Sequence, residues 1–136
     1  MKPQHFNPES DLPPMPFDEC ICRLAQEIKK LGLAWTPHVG CFVWDPDHQL
    51  QPDSPFPDRI YFILSLPRFI NLLGSEEAIV EKLVWLPTWH QARLLCQRLG
   101  IADEDLAKDW QKKGGFPPCE DLADVYLAII NGLQNR

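Results

Sequence analysis

The chain lacks any apolar run long enough to cross a bilayer. The best candidate, opening at Ile60, is broken by Pro67, Arg68 and Asn71 well short of the roughly 18 to 20 residues a membrane helix needs. Its start, Met1-Lys2-Pro3-Gln4-His5, has no apolar core of the secretory kind, so a cytoplasmic location without membrane association is expected. Positive charge is in short supply: 13 Lys and Arg against 19 Asp and Glu leave a net charge of −6, which opposes attraction to phosphate backbones and makes nucleic acid an unfavoured partner. There is no glycine-rich phosphate loop, no Gly-x-Ser-x-Gly elbow, no His-Glu-x-x-His and no Cys-x-x-Cys, which removes the common signatures of nucleotide, acyl-transfer and zinc chemistry.

What is present fits one domain. A chain of 136 residues buries roughly 70% of the surface it would expose when unfolded, enough for a single core. Five cysteines, Cys20, Cys22, Cys41, Cys96 and Cys119, form an odd, irregularly spaced set and read as reduced thiols. Fourteen prolines are the oddity. Five of them, Pro3, Pro8, Pro13, Pro14 and Pro16, fall in residues 1–16, which are expected to form an extended arm ahead of a globular domain over 17–136.

Local signals then punctuate the chain. Asp18 caps a helix with apolar positions Ile21, Leu24, Ala25, Ile28 and Leu31, and Gly32 stops it. Val39 to Trp44 and Ile60 to Leu64 read as two strands pairing antiparallel across a polar, proline-rich loop, with helices covering one face. Ser65-Leu66-Pro67 opens a short helix closed by Gly74. Ser75 opens another, with Leu83 and Val84 on its apolar side, ended by Pro87 at Leu86. Thr88-Trp89-His90-Gln91 has capping-box form and starts a helix that stops at Gly100-Ile101. Asp103 caps a short helix to Lys112-Lys113, and a last amphipathic helix runs from about Glu120 to Leu133. The expected class is α+β, mostly helical with about five or six helices and a small antiparallel β element near residues 39–64.

Four constellations bear on chemistry. The Asp45–Asp58 loop resembles a calcium loop at Asp45 and Asp47 but lacks the turn glycine and the closing glutamate. Glu77 and Glu81 share a helix face, near His90, but no second Glu-x-x-Glu or Glu-x-x-His completes a metal site. The cysteines supply no zinc knuckle. The most distinctive stretch is Trp85 to Arg93, where two tryptophans flank a helix break and His90 lies one turn from Arg93. Trp85, Trp89, His90 and Arg93 are the candidate ligand-binding residues, suited to an anionic small molecule at a helix N-terminus. The competing reading is aromatic packing at a corner between two helices.

No metal or cofactor is indicated. The leading expectation is a non-catalytic accessory or protein-interaction module, with self-association as one form of it, because aromatic residues such as Trp35, Trp44 and Phe56 sit beside proline-rich turns where full burial is hard. The alternative is an anion-binding domain or enzyme with its pocket near Trp89, His90 and Arg93.

Overall fold

Helix α1 (Glu19–Lys30) begins at its expected cap. In the computed structural model, which describes residues 7, 9–12, 15–54, 56–102, 104 and 120–135, the Asp18 carboxylate accepts the Ile21 N–H at 2.9 Å. The helix buries Ile21, Cys22, Ala25 and Ile28 along one side. Lys29, in its last turn, does more than face the helix dipole. Its ammonium donates to the carbonyls of Glu81 at 2.5 Å and Leu83 at 3.0 Å, and partial burial lowers its pKa. Apart from Glu104, which is helical, the helix expected over 103–113 lies outside the described residues. Near the start of the chain the Asn7 carbonyl accepts the N–H groups of Ser10 at 3.2 Å and Asp11 at 2.8 Å.

Three short strands follow: β1 (Phe42–Trp44), β2 (Ile60–Phe62) and β3 (Val84–Leu86), in the order β2-β1-β3 and antiparallel throughout. The β1–β2 pairing is the one the sequence suggests. β3 is a correction, because Val84 to Leu86 is a strand and not the end of the preceding helix. Four consecutive apolar residues before Pro87 have no helical period, and Pro87 itself pushes Leu86 toward extended backbone. The second edge of β1 also carries peptide groups that need partners.

The pairings Phe42↔Phe62, Trp44↔Ile60, Phe42↔Leu86 and Trp44↔Val84 put these residues on one face, and Val43, Tyr61 and Trp85 on the other. The first face joins a core with α1, α4 (Trp89–Arg98) and α5 (Glu120–Gln134). The second packs on α2 (Leu66–Leu73) and α3 (Glu76–Lys82). Helices therefore cover both faces of the sheet, where the sequence suggested one. Among the described residues, five α-helices and a three-stranded sheet make the fold α+β and mostly helical.

Caps fix most helix ends. Ser75 accepts from the Ala78 N–H, and Thr88 and Gln91 complete the capping box of α4. Ser65 precedes α2 without a side-chain cap bond. Gly74, at φ 112°, ends α2 in backbone that a side chain would disfavour. Tyr126 of α5 donates to the Pro87 carbonyl, tying that helix to the β3–α4 corner, and burial pushes its phenol pKa well up.

The loop after β1 is organised by Asp45, which is fully buried. Its carboxylate accepts the N–H groups of Gln49 and Leu50, each at 2.9 Å, and the Arg59 guanidinium at 2.6 Å. Arg59 also donates to the carbonyls of Asp45 and Leu50, and Asp45 raises its pKa further. Arg59 holds φ at 60°, a conformation costing a side-chain-bearing residue about 1–2 kcal/mol, so the ion pair must outweigh that strain.

Two tests follow from this packing. Arg59→Met leaves the buried Asp45 carboxylate short of its charged partner. It should lower the urea-unfolding free energy by about 2–3 kcal/mol, below the roughly 3–5 of a wholly buried pair because Arg59 keeps some solvent. Burial, followed by the nearby Asp58, Asp18 and Glu19, pushes the Cys22 thiol from 9.0 up to about 12. A raised folded-state pKa contributes stability that is complete below pH 9 and is lost as pH climbs toward 12, where only the unfolded chain's thiol ionises readily. The stability advantage of the native protein over Cys22→Ala should therefore shrink between pH 9 and 11; an advantage constant with pH would contradict the assignment.

Candidate functional site

The capping box that starts α4 also sets the direction of its faces. Ala92 and Cys96 point into the core, while Gln91, Leu94, Leu95 and Arg98 recur at i, i+3, i+4 and i+7 and line one stripe. That stripe forms one wall of the largest described cleft, about 390 Å³. The opposite wall comes from the α1–β1 connection, with Trp35, Thr36 and His38, and the floor includes Trp85 of β3. Trp35 lies against Trp85 with ring centroids 5.7 Å apart and planes 11° from parallel, a stacked pair. The Trp85 indole N–H is shielded from solvent and meets no acceptor, which costs about 1–3 kcal/mol that the stacking and burial of the ring must offset.

The sequence-derived candidates divide. Trp85 lines this cleft; Trp89, His90 and Arg93 line none of the three described clefts. They do meet one another, the Arg93 guanidinium lying 5.3 Å from the Trp89 ring centroid and its Nη2 3.4 Å from His90 Nδ1. A guanidinium only donates, so that nitrogen of His90 is the acceptor and a neutral ring carries its proton on Nε2. The cleft is completed by Trp35, which the sequence marks only as an aromatic beside proline-rich turns, by Gln91, marked only as part of the capping box, and by His38 and Arg98. The four-residue stripe on α4 was a legible signal, masked by the more conspicuous Trp-x-x-x-Trp spacing beside it. Trp35 stands beside a turn in the sequence, but nothing local ties it to this cleft, since a connection has no periodicity.

Two further concavities flank the sheet. A shallow one of about 260 Å³ places Trp35, Thr36 and Pro37 opposite Glu76, Glu77 and Val80. A groove of about 210 Å³ lies at the other sheet edge, between the 50–53 segment, β2 and α2, and carries Tyr61, Phe62, Leu64, Arg68 and Leu72. Tyr61 is fixed there by its hydroxyl, which donates to the Pro52 carbonyl at 2.6 Å, and by the Arg59 guanidinium 5.7 Å from its ring centroid. Among the described residues no group of three or more His, Cys, Asp or Glu side chains is placed to hold a metal ion. Cys20 is exposed while Cys22, Cys41 and Cys96 are buried.

No family model matches this chain, and comparison with curated proteins and with solved structures gave no significant match.

The packing predicts a sharp contrast between neighbours. Trp85→Ala removes a stacked, largely buried ring from between the sheet and Trp35 and should cost about 3–5 kcal/mol in urea unfolding. His90→Ala, at an exposed first-turn position, should change it by less than about 0.5 kcal/mol. Equal costs at the two positions would refute the geometry.

Proposed function

We propose that this chain is a non-catalytic protein-interaction module that self-associates through the open edge of its sheet. The observation behind it is the outer side of β2. Ile63 donates to the Cys41 carbonyl and Asp45 to the Arg59 carbonyl, so odd-numbered residues of this segment turn their peptide groups toward β1 and even-numbered ones turn theirs outward. One end of the edge is already blunted: the Ile60 N–H bonds the Pro57 carbonyl, and the Ile60 carbonyl accepts the Ser54 hydroxyl. Phe62 is left with its peptide facing out, beside the apolar groove, and Phe62, Leu64 and Leu72 are 37%, 75% and 39% exposed.

A second copy is the occupant that fits best. Two β2 edges related by a two-fold axis pair antiparallel, with Phe62 and its copy exchanging both backbone bonds. The groove carries one acid, Asp53, and one base, Arg68, so a two-fold brings opposite charges to each other's rim. The net charge of −6 favours a protein partner over nucleic acid, and an odd, irregularly spaced set of five cysteines suits a cytoplasmic setting. No described helix is long and apolar enough to cross a membrane.

Sedimentation velocity tests the proposal. The native chain should reach a dimer with rising concentration, and Leu64→Asp, at an exposed position that leaves the core intact, should weaken the association about a hundredfold. A native chain that stays monomeric at every concentration, or a dimer indifferent to Leu64→Asp, would overturn it.

A further inference from the structure

The geometry points to the cleft between Trp35, Trp85 and Arg98 as a binding site for a flat organic anion: an aromatic ring bearing a carboxylate. The site lies along β3, at the opposite side of the sheet from the β2 edge, and does not depend on self-association.

Its chemistry is unusual for this chain. Acidic residues outnumber basic ones, 19 to 13, yet the cleft lining contains Arg98 and neither Asp nor Glu. Glu76 and Glu77 face the separate shallow cleft, which shares only Trp35 and Thr36 with this one. The polar groups are biased toward donation. Gln91 Oε1 accepts the Thr88 N–H at 2.9 Å, which fixes the amide and leaves its nitrogen with two N–H donors to place. Thr36 adds a hydroxyl. His38 contacts the Val39 carbonyl through Nδ1 at 2.8 Å, which requires the proton there and leaves Nε2 as the cleft's one imidazole acceptor.

The shape agrees with the charge. A volume of about 390 Å³ falls at the lower end of small-molecule sites, roughly 300–1,000 Å³, and accommodates one or two fused rings. Trp35, backed by the stacked Trp85 ring, supplies a flat apolar surface, and Leu94, 40% exposed on the α4 stripe, supplies apolar surface across the cleft from it. A guanidinium meets a carboxylate with two parallel N–H donors, a match that a lysine at the same place would not reproduce. The ring is thus recognised by the tryptophans and the charge by Arg98.

The full chain can be titrated with naphthalene carboxylate and, in parallel, with its neutral carboxamide, following the indole N–H resonances by NMR. The carboxylate should shift the Trp35 and Trp85 signals saturably and leave Trp44 in place. The carboxamide, and the carboxylate with Arg98→Gln, should bind about tenfold more weakly. Arg98 is exposed at the last turn of α4, so that variant keeps the fold, and an unchanged circular dichroism spectrum verifies it. Equal affinity for acid and amide would overturn the proposal. So would binding abolished by Arg93→Gln but not by Arg98→Gln, or the absence of saturable binding at millimolar ligand.

Discussion

A fully buried carboxylate constrains everything built around the sheet. Asp45 cannot stay charged out of water unless it is hydrogen-bonded and paired, and it finds both in the two loop amides and the Arg59 guanidinium. Arg59 directly precedes β2, and the Asp45 N–H bonds the Arg59 carbonyl, so the same contact that solvates the charge locks the register of β1 on β2. A slip of one residue would turn Val43 and Tyr61 from the α2–α3 side to the α1–α4–α5 side and invert both cores. With only three residues in each strand, hydrogen bonds alone specify register weakly, and a localised charge pair specifies it far more strongly.

What the sequence made legible follows from how local each signal is. Asp18, Ser75 and the Thr88–Gln91 box act on amides three residues away, and each starts its helix where expected. The β1–β2 pair was legible because both runs are β-branched or aromatic and bounded by turn residues. β3 was not, because its identity is decided some 40 residues away by the unpaired edge of β1; within its own window Leu83 to Leu86 is only a short apolar run. Lys29 shows the same limit. Its position in the last turn of α1 suggested a dipole role, whereas its bonds to Glu81 and Leu83 cross more than fifty residues. Of the four candidate site residues, only Trp85 meets the main cleft, and it does so because it is a strand residue, not a helix-break aromatic.

The two sheet edges are treated differently. On the β3 side Lys29 occupies the carbonyl of Leu83 just before the strand, at the cost of desolvating an ammonium, and Trp35 covers Trp85 with a stacked ring. On the β2 side Ser54 and Pro57 cover Ile60 and stop there, leaving Phe62 in contact with Phe42 on its inner face and with solvent on its outer one. Soluble proteins usually blunt exposed edges by charge, proline or cover. An edge protected up to one residue and then left open beside exposed leucines is the feature on which the proposed self-association rests.

The capping box links fold to cleft more tightly than either feature does alone. Gln91 must turn its carbonyl oxygen back to the Thr88 amide to start α4, and that orientation fixes the amide and leaves its nitrogen with two N–H donors to place. The same box positions the turn whose Pro87 carbonyl receives the Tyr126 hydroxyl, so α5 braces the corner from behind. Arg98 stands two turns further along the same helix face, and its distance from Trp85 is therefore fixed by α4 starting at Trp89 and not one residue later. A helix start displaced by one residue would rotate the stripe by about 100° and carry Arg98 off the tryptophan wall. The donor character of the site and its spacing are both consequences of where one helix begins.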